Sequence, residues 1–110
     1  MSERYRVIYA PAALEDLREI QSYIARELKV VETARQQTGR IRKQARSLDI
    51  MPERYSKVEW EPWASMGMHK LPVDNYCLYY LVDIEEKIVT IVRVFYAGRD
   101  TRNMIMETDE

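Results

Sequence analysis

Few side chains in this sequence are equipped for chemistry. His69 is the one histidine in 110 residues, and imidazole, with an ordinary pKa of about 6.5, suits proton transfer near neutral pH. Lys70 follows it directly. Neighbours on an extended strand point to opposite faces, so His69 is expected to share a face with Leu71 and Val73, away from Lys70. The one cysteine, Cys77, has no partner for an internal disulfide. One cysteine and one histidine also fall short of the ligand set of a structural zinc site. No metal or cofactor is expected.

Cations form the other candidate groups. Arg35, Arg42 and Arg46 fall along one side of a helical stretch, opposite its apolar stripe. That side reads either as an ordinary solvated face or as a groove for an acidic segment or nucleic acid. Arg93 sits inside an apolar strand, where a buried charge without a partner is costly. An ion pair with Glu15 or Asp16 is one reading, and a phosphate or partner contact is the other. Arg99 and Asp100 follow that strand, with Arg99 placed either to meet a partner or to close the turn locally. The formal net charge is -1, so the chain as a whole exerts no long-range pull on a polyanion.

These residues must be positioned by a modest fold. Hydrophobic residues make up 46% and charged residues 32%, which marks a globular chain. No apolar run reaches the length of about 20 residues that a membrane helix needs, and the first residues carry no apolar signal core. A soluble, cytoplasmic protein with one domain over residues 1–110 is expected. Alternation over Tyr5, Val7 and Tyr9 predicts a first strand. Pro11 then opens a helix whose stripe is Leu14, Leu17, Ile20, Ile24 and Leu28. A short link around Lys29 leads to a second helix, from about Val31 to Leu48, with Ala34, Thr38, Ile41, Ala45 and Leu48 inward. Gly39 lies within it and costs about 1 kcal/mol relative to alanine; a close approach of the first helix is the expected compensation. Between Asp49 and Ser65 periodicity is lost, and Met51, Tyr55, Trp60 and Trp63 are expected to pin a loop to the edge of the core. Strands follow at Met68–Val73, Tyr76–Val82 and Lys87–Tyr96, the first two joined at Asp74-Asn75. Tyr79, Tyr80 and Tyr96 read mainly as packing residues. The order β-α-α-β-β-β implies an α+β fold with a helical hairpin on one face of a mainly antiparallel sheet. The pairing of the first strand stays open.

Three segments carry a family resemblance. They are Tyr5-Arg6-Val7-Ile8-Tyr9-Ala10-Pro11-Ala12-Ala13-Leu14-Glu15-Asp16-Leu17, then His69-Lys70-Leu71-Pro72-Val73-Asp74-Asn75-Tyr76-Cys77-Leu78-Tyr79-Tyr80, and Val92-Arg93-Val94-Phe95-Tyr96-Ala97-Gly98-Arg99-Asp100. In order and spacing the chain resembles the RelE/ParE superfamily, toxins of type II toxin–antitoxin modules. The resemblance implies growth inhibition and a cognate antitoxin encoded by a neighbouring gene. RelE-like members cleave mRNA in the ribosome; ParE-like members inhibit DNA gyrase. On the nuclease branch, His69, Lys70 and Arg99 would be the catalytic residues. On either branch, Arg35, Arg42, Arg46, Arg93 and Arg99 are candidates for partner or nucleic-acid contact. Two departures bear on the choice. Cys77 stands where nuclease members often carry arginine, and the stretch after Asp100, Thr101-Arg102-Asn103-Met104-Ile105-Met106, lacks the tyrosine or histidine that many of them place there. Both favour gyrase inhibition, with the endonuclease as the alternative and a non-toxic interaction domain as a further one.

Overall fold

A computed structural model describes residues 4–27 and 31–97. The expected positions of Leu28, the link around Lys29, and Arg99 lie outside the described residues.

The order of elements follows from the sequence periods. Strand β1 spans Arg6–Tyr9, helix α1 Pro11–Glu27 and helix α2 Val31–Arg46. Two short 3-10 turns, Ser47–Asp49 and Pro52–Arg54, lead to a one-turn helix α3, Trp63–Met66. Strands β2 (His69–Val73), β3 (Tyr76–Asp83) and β4 (Ile88–Tyr96) complete the chain. The sheet order is β1-β4-β3-β2. β2 and β3, and β3 and β4, pair antiparallel, whereas β1 runs parallel to β4 with Val7 opposite Val89 and Tyr9 opposite Ile91. The pairing left open by the pattern is thus a parallel edge, reached across the helical hairpin.

Helices α1 and α2 bury their apolar stripes against the same sheet face. Ala13 and Leu17 of α1, Ile41 and Ala45 of α2, and Leu48 pack on Leu71, Leu78, Tyr80, Val89, Ile91 and Val94. Thr38 is buried as well and returns its hydroxyl proton to the helix backbone, 3.1 Å from the Ala34 carbonyl. The turn between β2 and β3 is tied to α2. Asp74 takes a left-handed φ of 55° and accepts from Arg40 Nε at 2.7 Å and Gln37 Nε2 at 3.1 Å. These contacts hold its carboxyl below the usual carboxylate range.

Two expectations need correction. The segment before β2 does not rest at the core edge; it covers the second face of the sheet. Val58, Trp63, Met68, Cys77, Tyr79 and Phe95 form a separate buried cluster there, with Trp60, Leu81 and Val92 against it. Trp63 stacks at a tilt on Tyr79, with centroids 4.9 Å apart. The helix α3 that carries Trp63 ends at Gly67, whose φ of 77° is the left-handed conformation that glycine adopts at no steric cost. Tyr55 instead packs on the helical side, and Met51 is 65% exposed. The compensation expected for Gly39 is also absent: the residue is exposed, and a Cβ built there would meet nothing within 4 Å. Its helical cost therefore stands uncompensated. Gly39→Ala is expected to stabilise the protein by about 0.5–1 kcal/mol, read as a higher urea midpoint with an unchanged slope.

Candidate functional site

β1 ends at Tyr9, opposite Ile91, while β4 continues to Tyr96. The edge of β4 beyond Ile91 would expose backbone groups that a strand normally satisfies. Asp16 of α1 fills that position. Its Oδ2 accepts the Val94 N–H at 2.9 Å, and the same carboxylate takes Arg93 Nε at 2.8 Å and Arg93 Nη2 at 2.9 Å. Arg93 and Asp16 side chains are 14% and 9% exposed. A register shift between Tyr79 and Tyr80 makes Val92 the extra residue of a bulge and sets Arg93 opposite Tyr79. The Arg93 guanidinium also lies 4.5 Å from the Phe95 ring centroid. Of the two carboxylates considered for Arg93, Asp16 makes the pair; Glu15 is on the surface with Arg18.

This junction forms the floor of a concavity. A groove of about 740 Å³ runs between α1 and the ends of β3 and β4, lined by Asp16, Glu19, Ile20, Tyr23, Tyr76 and Tyr96 among others. Tyr23 and Tyr96 are 57% and 48% exposed, so Tyr96 is a groove wall and not the packing residue expected. Tyr76 meets Tyr96 edge-on at 5.7 Å. Burial, then the neighbouring phenols Tyr96 and Tyr23, push the Tyr76 hydroxyl above its ordinary pKa. A trough with aromatic walls and with Glu19 and Arg26 at its sides suits a partner segment that mixes apolar and polar side chains, with phenol hydroxyls left to bond its polar groups.

Of the residues considered for nuclease chemistry, His69 and Lys70 are not brought together, and Arg99 lies outside the described residues. His69 is 3% exposed and stacks on Tyr80 with ring centroids 5.1 Å apart. Its Nδ1 lies 2.9 Å from the Tyr55 carbonyl oxygen. A carbonyl only accepts, so Nδ1 carries the proton. Tyr80 in turn donates its hydroxyl to the Pro52 carbonyl at 2.6 Å, and burial drives that phenol far above its ordinary pKa. His69 and Tyr80 thus fasten the 52–55 turn over the helical core. Lys70 is on the opposite face, its Nζ 5.9 Å from the Trp60 ring centroid. Cys77 is buried, and burial raises its thiol pKa, which leaves a poor nucleophile. Arg35 is exposed, 3.9 Å from Glu32. Arg42 and Arg46 are exposed beside Tyr9, where their charges partly offset the burial that raises the Tyr9 phenol.

A sequence model described as "ParE toxin of type II toxin-antitoxin system, parDE" matches residues 7–101. The chain belongs to the ParE toxin family. Among curated proteins none matches the sequence significantly. The structure is similar to that of the chromosomal ParDE toxin–antitoxin system from P. aeruginosa, with a TM-score of 0.72 and 17% identity over 86% of this chain and 98% of that one. It is similar to a chain of the RelBE2 toxin–antitoxin complex from Mycobacterium tuberculosis, with a TM-score of 0.64 and 23% identity over 87% and 95% of the two chains. An E. coli RelE toxin mutant in the free state gives 0.63 at 16% identity, over 96% and 97%. The protein is therefore a ParE-family toxin with the RelE/ParE fold, an α+β arrangement with α1 and α2 on one face of a four-stranded sheet.

The groove residues Tyr23, Tyr76 and Tyr96 escaped sequence reasoning. One signal was present: Tyr23 lies off the stripe of Ile20 and Ile24, a large aromatic on the polar side of α1.

The Asp16–Arg93 pair generates a prediction. Breaking a buried pair from one side leaves an uncompensated charge, so Asp16→Leu and Arg93→Leu are each expected to destabilise by about 3–5 kcal/mol. The double variant should be destabilised by less than the sum of the two, by at least about 1 kcal/mol. Denaturant unfolding of all four proteins measures that coupling, and simple additivity would contradict it.

Proposed function

We propose that this ParE-family toxin arrests growth by binding DNA gyrase and not by cleaving RNA. The observation that carries the reading is the state of His69. The one imidazole available as a general base is sealed beneath the 52–55 turn and committed to a backbone carbonyl. Metal-free cleavage of RNA needs a base within hydrogen-bond reach of the 2′-hydroxyl and cations close by on the same side. Lys70, on the opposite face, does not supply them. A toxin that acts by binding needs a surface only, and the tyrosine-walled groove on α1 provides one.

The solved complexes above pair their toxins with antitoxins. We propose the same here: a cognate antitoxin encoded beside this gene, whose apolar segment lies in the groove between α1 and β4. No described helix is long and apolar enough to cross a membrane, and gyrase places the site of action in the cytoplasm.

The test is pulse labelling of DNA and protein synthesis after tightly controlled induction in bacteria without the neighbouring gene. DNA synthesis is expected to fall first, and equally with His69→Phe, provided that variant accumulates as folded protein. Early loss of protein synthesis would sink the gyrase reading.

A further inference from the structure

The segment before β2 covers only part of the second sheet face. Its cluster takes in Cys77, Tyr79 and Phe95, with Leu81 and Val92 at the margin. Toward β1 the face changes. Val7, Tyr9, Val82, Val89 and Ile91 pack on the helical side. Arg6, Ile8, Leu81, Asp83, Ile88 and Thr90 alternate with them and so point the other way. Ile8 and Ile88 belong to neither buried cluster. Ile8 is 39% exposed, and Leu81, Ile88 and Thr90 are half-buried.

Register aligns these residues in rows across three strands. Arg6, Ile88 and Asp83 form one row, and Ile8, Thr90 and Leu81 the next. The first row ends in opposite charges. Arg6 and Asp83 are both exposed, and neither has an ion pair among the described residues. Two strand spacings, about 10 Å in all, separate them, with Ile88 between. Asp83 uses Oδ1 to accept the Glu86 N–H at 3.0 Å, which leaves its other oxygen for a cation.

A half-buried apolar face with opposite charges at its two sides is complementary to itself. We propose that this face of β1, β4 and β3 packs on the same face of a second copy of the chain, about a two-fold axis parallel to β4. Sheets stacked in this way lie about 10 Å apart with their strands nearly aligned. β4 then lies over β4, and β1 of each copy over β3 of the other. Because the axis runs along the strands, each row meets the same row of the other copy. Arg6 of each copy stands over Asp83 of the other, and Ile8 over Leu81. Ile88 and Thr90 each face their own counterpart. The charges select this occupant: a polyanion would meet Asp83, and a uniformly acidic or basic segment would meet a like charge at one side. The contact is small, so a weak dimer is expected. The groove on α1 is on the opposite side of the sheet, so the inference does not depend on which target the toxin has.

The test is sedimentation equilibrium of the purified toxin, from micromolar to millimolar concentration, at low salt where exposed charges are least screened. A monomer–dimer equilibrium is expected. Arg6→Glu and Asp83→Lys each turn two attractions into two repulsions, and each should weaken it at least about tenfold. Mixing the two variants gives a heterodimer with an attractive pair at both sides, so association should return to near the parent strength. Thr90→Lys sets like charges over each other beside the axis and should leave a folded monomer, with folding read by thermal unfolding. A toxin that stays monomeric at millimolar concentration overturns the proposal. So do folded variants that associate like the parent, or a mixture that associates no more tightly than either variant alone. In a mixed 13C/12C sample, filtered Overhauser contacts should join the Ile8 methyls of one copy to the Leu81 methyls of the other. Contacts from those methyls to residues 101–110 of the same chain, in place of the other copy, overturn the proposal in favour of that segment.

Discussion

The Asp16 carboxylate accepts three donors at once: two from the Arg93 guanidinium and one from the Val94 backbone. Its position follows from the shortness of β1. Because β1 stops opposite Ile91, the remainder of β4 has no described strand on its β1 side, and the helix that follows β1 supplies an acceptor from a side chain. The bulge at Val92 sets Arg93 where it meets that helix. One carboxylate thereby fixes the distance between α1 and β4, and that distance is the width of the groove. Arg93, read from sequence as a possible contact for phosphate or a partner, is instead committed to holding the fold around the groove.

Satisfying both sheet faces shapes the rest of the molecule. The helical hairpin covers one face, and a segment with little regular structure covers the other through Trp63, Val58 and Met68. That segment has few backbone hydrogen bonds of its own, so side chains anchor it: Tyr80 to the Pro52 carbonyl and His69 to the Tyr55 carbonyl. The most reactive side-chain type in the sequence is spent as a fastening. Among the described residues, the exposed surface carries tyrosines on one side of α1, and Arg42 and Arg46 on α2. This inventory suits a protein that acts by occupying surfaces.

Much of this was legible in the residues. Helical stripes at Leu17, Ile24, Ile41 and Ala45, and alternation through β2 to β4, declare period and face because burial is one-sided there. Family order and spacing, from the Ala-Leu-Glu-Asp entry of α1 to the Arg-Val end of β4, agreed with the family match. The first strand's pairing was not legible: four residues carry no information on parallel or antiparallel neighbours. Neither was the route of the 49–67 segment, since scattered aromatics declare burial without declaring a face. Arg93 was confined to two carboxylates one residue apart, and only the direction of α1 over β4 separates Asp16 from Glu15. Tyr96 misled because an aromatic at the end of an apolar strand looks the same whether it closes a core or walls a groove.

The toxin's target is tested most directly by supercoiling of relaxed plasmid by purified gyrase and ATP in the presence of the purified toxin. Loss of supercoiling in proportion to bound toxin is expected, while a purified translation reaction at the same concentration keeps its mRNA intact. Undiminished supercoiling together with cleavage of ribosome-bound mRNA would contradict the gyrase reading.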